Sequence, residues 1–417
     1  MKTIIYLDET CKQTFRWKNA DSKPLTKEDF YDYLTMTGTL LDIDGKYVYW
    51  VGMENIGIPA LLRDRLYDRL KNKLTKDALI INGTHTHSGP GFMKAEMMSS
   101  RKADESQLYM GFVDHCVNLM TDLFFELEKQ LRPYTSEIAV IPVEGCYGNR
   151  NDLSLAADKD INLISFKDEN EQLIGMWMEM TTHSTVIFPK NPKITGDMVG
   201  NVRQLVSEHY HCPVMPFVGC AGDSSTRLTR KRSDDPALDY SELMRLVNDI
   251  SQQIYEKASF VPVVIDRFET AQMELSYSYT KDPEAIRRRL AKLEREIQEE
   301  TNPQQKKIKG DSKMALQLKL EGPSECSDML IGRAYNFGEL KFGVFPGELT
   351  ASLGLSIISH QPHDHHLVLC YTPDDVGYLV EKEEYGKNFE SLTSNIPVGL
   401  PEVMTDMIRS KLEEFSH

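Results

Sequence analysis

The sequence is poor in everything that a membrane-spanning, exported or polyanion-binding protein needs. No apolar run approaches the roughly 18–20 residues that cross a bilayer as a helix. The start, Met1-Lys2-Thr3-Ile4-Ile5-Tyr6-Leu7-Asp8-Glu9, offers one lysine and a short apolar patch before acid. It lacks the longer apolar core and small-residue cleavage site of a secretory leader. Cations are in deficit: 48 Lys and Arg against 63 Asp and Glu leave a formal charge of -15. That balance repels phosphate backbones and anionic lipid surfaces, so nucleic acid is not an expected partner. The seven cysteines form no CxxC pair and no disulfide-framework spacing. Together these absences predict a cytoplasmic protein in which thiols such as Cys146 and Cys370 act as small hydrophobes. Also missing are a GxSxG elbow, a Walker P-loop and a dinucleotide fingerprint, which argues against ordinary serine hydrolases and nucleotide-dependent chemistry.

What is present is globular. Hydrophobic content of 41% and charged content of 27% suit a packed chain, and 417 residues can bury one large core or two ordinary ones. Residues 38–51 predict a β-hairpin turning at Asp44-Gly45. Residues 58–74 carry leucines at helical spacing, and 78–81 form a short apolar strand leading to His85. Helical patterns cover 105–131, a run from Asp197 to about Tyr210, 239–257 and 283–300. A second hairpin is expected over 161–180, turning at 167–170, and a strand over 213–218. Residues 299–312, with Pro303, glutamines and lysines, suggest a polar helix tip or mobile excursion. Strands return at 329–345 and 367–371, and a final helix spans 401–415. This alternation predicts an α/β fold: a layered sandwich of β-sheets flanked by helices, one catalytic domain over 1–417, with a helical elaboration at about 281–325.

Chemistry concentrates where apolar strands break into polar loops. His85 and His87 lie two apart in an extended segment and so face the same way, and Ser88-Gly89-Pro90-Gly91 exposes the pair. The competing reading is a pair of ordinary turn histidines. His183 ends an apolar strand, and Glu348 sits in Phe345-Pro346-Gly347-Glu348-Leu349-Thr350, where a strand gives way to a helix. Imidazoles plus one carboxylate make a zinc set that leaves a position for water, although Glu348 also suits helix capping. The histidine-dense stretch 360–366 lies between a helix and a strand and reads as a solvated turn. Asp197 reads as a helix N-cap. Gly222-Asp223-Ser224-Ser225-Thr226 is a small-residue loop after a strand, where Ser224 or Ser225 can meet a ligand.

These residues resemble the neutral, non-lysosomal ceramidase family. Gly83-Thr84-His85-Thr86-His87-Ser88-Gly89-Pro90 is similar to its GTHTHSGP signature, and Asn149-Arg150 to its NR pair. Thr182-His183-Ser184-Thr185, Pro346-Gly347-Glu348-Leu349-Thr350 and Asp375-Val376-Gly377-Tyr378, with Glu383-Glu384-Tyr385 after it, follow in the family's order. Gly222 to Thr226 resembles its GDVSP loop, with Ser224 and Thr226 replacing the Val and Pro. Phe389-Glu390 falls where a further family tyrosine is expected. The resemblance spans about residues 35–400. It implies His85, His183, Glu348 and Tyr378 as ligands of Zn²⁺, and His87, Arg150 and Ser225 as catalytic groups. The implied reaction is cleavage of an amide in ceramide or a related N-acyl, lipid-like substrate, to a carboxylate and an amine. Two alternatives are a same-fold metal hydrolase acting on a non-lipid amide or ester, and a catalytically silent metal- or ligand-binding protein.

Overall fold

A computed structural model describes residues 1–18, 23–94, 103–187, 190–231 and 235–416. The first sheet grows from the hairpin at Asp44-Gly45, whose φ values of 51° and 78° are the positive pair that a tight turn between twisted strands requires. Strands β1 (Lys2–Leu7), β2 (Leu34–Ile43), β3 (Lys46–Met53) and β4 (Leu79–Gly83) lie in that order, antiparallel except for the parallel β3–β4 pair. The crossover between β3 and β4 carries α1 (Ala60–Leu70), which buries Leu62, Leu66 and Leu70 at helical spacing.

A second sheet holds β5 (Thr135–Pro142), β6 (Asp160–Lys167), β7 (Leu173–Met180) and β8 (Val214–Phe217) in the order β8-β7-β6-β5, with β7 and β8 parallel. Helix α2 (Met110–Glu128) precedes it, and α3 (Asp197–Tyr210) crosses between β7 and β8. Helix α4 (Pro236–Lys257) follows, with Asp235 capping its N-terminus.

The third sheet, ordered β9-β10-β11-β13-β12, contains β9 (Ile265–Thr280), β10 (Glu325–Gly338), β11 (Leu340–Val344), β12 (Ser359–Gln361) and β13 (Asp364–Leu369). Here the fold departs from expectation in three places. Residues 329–345 are two antiparallel strands, not one. The stretch after residue 299, expected as a helix tip or mobile excursion within a helical elaboration, is a full helix of its own: α5 (Pro283–Glu299) and α6 (Pro303–Glu321) form a helical hairpin between β9 and β10. Its exposed surface is polar enough to mimic a loop, yet Ile286, Leu293, Ala315 and Leu316 share a small buried core. The histidine-dense stretch is an edge hairpin, β12–β13, whose His365 and His366 are buried; strand pairing supplies the wall that the local sequence does not reveal.

Aromatic side chains from all three sheets meet in one place. Trp50 on β3 packs on Trp177 of β7 (ring centroids 4.9 Å), Phe217 of β8 (5.2 Å) and Phe342 of β11 (5.2 Å). The indole N–H of Trp50 donates to Asn82 at 2.8 Å and that of Trp177 to Thr39 at 3.0 Å, so neither buried donor is orphaned. Close approach is enforced at Gly52, where a Cβ would lie 2.3 Å from the Pro216 carbonyl oxygen. The layers are therefore sheets packed face to face, with helices covering their outer sides.

Candidate metal centre

The parallel strand pairs decide where the chemistry sits. The C-terminal ends of β4, β7, β8, β11 and β13 all feed loops into one place, the position where open α/β sheets bind ligands. After β4, Thr84 N–H donates to the Met53 carbonyl and His85 N–H to the Asn55 carbonyl, both at 2.9 Å. His85 then takes a left-handed conformation, φ 59°, uncommon for a residue with a Cβ. A bridge between Thr86 and Ser184 ties this loop to the one after β7, and His183 N–H donates to the Ser224 carbonyl beyond β8 at 3.0 Å. Glu348, after β11, pairs in parallel register with Tyr378, after β13. Gly222 lies so close to this pairing that a Cβ there would meet the Glu348 carbonyl at 2.5 Å.

His85, His87 and His183 each bring a ring nitrogen within 4.8 Å of the other two. Nε2 of His85 lies 3.1 Å from Nε2 of His87 and 3.4 Å from Oε2 of Glu348. Nε2 of His183 faces the same carboxylate oxygen at 2.9 Å. Both atoms of this last pair are buried with no hydrogen-bond partner among the described residues. Two orphaned buried polar atoms at one point mark the place for an additional group.

The other face of each ring explains the orientation. Nδ1 of His85 bonds the Ile56 carbonyl at 2.8 Å, and Nδ1 of His183 bonds the Ala221 carbonyl at 2.7 Å. A carbonyl accepts only, so each Nδ1 carries a proton and each ring turns its Nε2 inward. His87 has no such anchor among the described residues, and its ring is exposed at the mouth of the site. Burial and Arg150 push His183 down to about 4; the protein around His87 and the two neighbouring imidazoles push it well below its ordinary value. Burial opposes ionisation of Glu348, but His85 and His183 override it and hold the carboxyl well below the usual range. Burial opposes protonation of His85, but the Glu348 carboxylate outweighs it and raises the imidazole above its ordinary value, so an ion entering between them displaces that proton. A neutral His183 and an ionised Glu348 are the forms that bind a metal, and a nitrogen-rich set with one oxygen suits zinc.

Arg150 reaches this group from a separate stretch. Gly148–Asn149 pairs with Ser224–Ser225, and the Arg150 N–H donates to the Asp223 carbonyl at 2.7 Å. The buried guanidinium contacts Glu390 through Nε and donates from Nη2 to the Tyr378 hydroxyl at 3.1 Å. The Tyr378 ring lies parallel to His183 at 6.5 Å, so its hydroxyl belongs to the wall of the site and is engaged by Arg150. Ser225 is buried; among the described residues its Oγ accepts from the Arg227 N–H at 3.1 Å and bonds none of the three histidines.

The expectation for Asp197 needs correction. Gly196 is the N-cap of α3; Asp197 is its first residue, at φ 53°, and its carboxylate accepts from Val186 and Ile187 at 3.0 Å each. It thereby ties the loop after His183 to the helix. In the histidine-dense hairpin, His363 contacts Glu339 at 2.6 Å and His366 contacts Asp364 at 3.0 Å, side-chain pairings away from the three-histidine group.

Two residues of the site escaped the sequence reading. Tyr371, buried at φ 56°, lays its ring 4.3 Å from that of His85, and its hydroxyl has no partner among the described residues. Glu390, fully buried, holds Arg150. Tyr371 follows the apolar strand β13 but reads as its last aromatic residue, and Glu390 stands in a short helix away from any strand end.

The chain matches the crystal structure of neutral ceramidase from Pseudomonas aeruginosa with a TM-score of 0.70 at 15% identity, over 99% of this chain and 74% of that one. A ceramidase complexed with C2 matches with a TM-score of 0.71 at 14% identity and the same coverage. The chain has a neutral ceramidase-like fold. No protein-family model and no curated protein matches the sequence. Across this ceramidase-like fold, the strand ends bring the three histidines, Glu348, Arg150 and Tyr378 together, while Ser225 stands on the adjoining two-residue strand.

Proposed function

We propose that the protein is a zinc-dependent hydrolase that cleaves the amide bond of an N-acyl substrate, ceramide or a related lipid-like compound, to a carboxylate and an amine. The observation that carries this reading is the convergence of Nε2 of His183 and Oε2 of Glu348, buried and unpartnered, beside His85 and His87. His85, His183 and Glu348 would hold the ion, with the Tyr378 hydroxyl completing the set. Bound there, Zn²⁺ would supply a Lewis acid for the carbonyl oxygen and lower the pKa of water to about 7.

The chain's own groups do the rest. Arg150 orients the substrate carbonyl and stabilises the oxyanion as it develops. His87, neutral and accessible at the mouth, takes the proton of the attacking water and returns it to the departing amine. Water is favoured over Ser225 as the nucleophile because, among the described residues, the Ser225 hydroxyl accepts from the Arg227 N–H and meets no base. The ceramidase-like fold favours an amide over an ester.

The test is turnover against a panel of short- and long-chain N-acyl amines and matched esters, before and after chelation. Chelator-sensitive amide cleavage restored by zinc is expected; cleavage that survives complete metal removal would refute the metal role.

A further inference from the structure

Arg150 has five N–H donors in a fixed fork, and the protein uses them unevenly. Nε contacts Oε1 of Glu390, and Nη2 donates to the Tyr378 hydroxyl at 3.1 Å. Among the described residues no acceptor faces Nη1. Glu390 is itself fixed from its far side: Asn151 donates to Oε2 at 3.1 Å, and, past the short helix α7 (Ala351–Leu355), the carboxylate belongs to α8 (Phe389–Thr393), capped by Asn388. Helix α8 is packed under the α5–α6 hairpin through Leu392, which shares a core with Ile286, Leu293, Ala315 and Leu316. The Phe389 ring closes the arrangement, 6.0 Å from that of Tyr378.

A buried ion pair is a poor stability device, since desolvation of both charges offsets much of their attraction. Its value lies in what it aims. With Nε and one Nη2 donor committed, the remaining donors have a single orientation beside the parallel Tyr378 and His183 rings. We propose that Glu390 is a positioning residue: acting through Arg150, it presents the free guanidinium donors to the oxyanion that forms beside the histidines. The inference rests on the hydrolase reading above. It also gives the helical hairpin a role, because the α5–α6 core is what fixes α8 and hence the guanidinium.

The experiment compares wild type, E390Q, R150A and the double variant, each checked by circular dichroism and loaded with zinc. Three quantities are read: kcat and KM on the best amide of the panel, zinc content, and affinity for an N-alkyl phosphonamidate that mimics the tetrahedral oxyanion. E390Q is expected to lower kcat about 10- to 100-fold and phosphonamidate affinity in proportion, with KM within about threefold and zinc content unchanged. Added to R150A, it should cost less than about twofold more, because its effect passes through the arginine. An E390Q protein with normal kcat, one that loses zinc, one that fails to fold, or one whose loss simply multiplies that of R150A would overturn the inference. If wild type turns over nothing, the hydrolase reading falls and this inference falls with it; a turning-over wild type with an unaffected E390Q removes this inference alone.

Discussion

At the scale of single residues, the two tethered imidazoles and the untethered one are assigned different work. Carbonyl anchors on Nδ1 fix His85 and His183 as lone-pair donors, whereas His87 is free to exchange a proton. His87→Gln should therefore keep its zinc and lose about 10²- to 10⁴-fold in turnover, the usual worth of a general acid–base, read by kinetics beside elemental analysis. Ser225→Ala should retain turnover within about fivefold, because a water nucleophile leaves the serine a loop-bracing role; a loss of three orders of magnitude would make Ser225 the nucleophile. His85, His87, His183 and Glu348 were all legible in the sequence because each follows a short apolar strand, a pattern that local composition carries. Tyr371 and Glu390 were not, because what makes them part of the site is a contact across the chain: Glu390 meets Arg150 from 240 positions away.

Among elements, the loop after β13 carries backbone strain into the site. Tyr371 and Asp374 both have positive φ, 56° and 80°, and the loop ends at Tyr378. Asp374 anchors it, contacting Arg63 of α1 and Arg333 of β10. Burial raises the Asp374 carboxyl, but the Arg63 and Arg333 charges outweigh that and hold it below the ordinary range. A depressed carboxyl contributes stability that is fully present above the unfolded value of about 3.9 and is lost as pH falls through the folded one. Asp374→Asn should thus cost up to about 3 kcal/mol at neutral pH and flatten the acid limb of the stability curve, measured by urea unfolding from pH 7 to 3. An unchanged acid limb would show that the anchor is elsewhere. The strands and helices near the site were legible from apolar runs and turn residues. Helix α6 was legible as part of a helical elaboration but not in its extent, since its lysines and glutamines look like loop and its few apolar positions pack on α5 and α8.

For the whole molecule, one aromatic junction joins the three sheets whose ends build the centre. Phe337 of β10 lies 5.7 Å from Phe342 and 5.8 Å from Trp177, fully buried. Phe337→Ala should cost about 3–5 kcal/mol in urea unfolding, and because the junction registers β11 against β7, zinc affinity should weaken with it. The layered α/β class was legible from alternation alone. The order of the sheets was not, because the pairings that set it, β3 with β4, β7 with β8 and β11 with β13, join segments separated by whole helices or hairpins.

The central claim is that His183 and Glu348 converge to bind a metal. Elemental analysis of purified wild type and His183→Ala, after exposure to zinc and removal of the excess, tests it most directly. The account predicts about one zinc per wild-type chain and a loss of most of it in the variant, as expected when one of three or four ligands is removed. Wild-type protein that stays metal-free, or a variant that keeps its full complement, would contradict it.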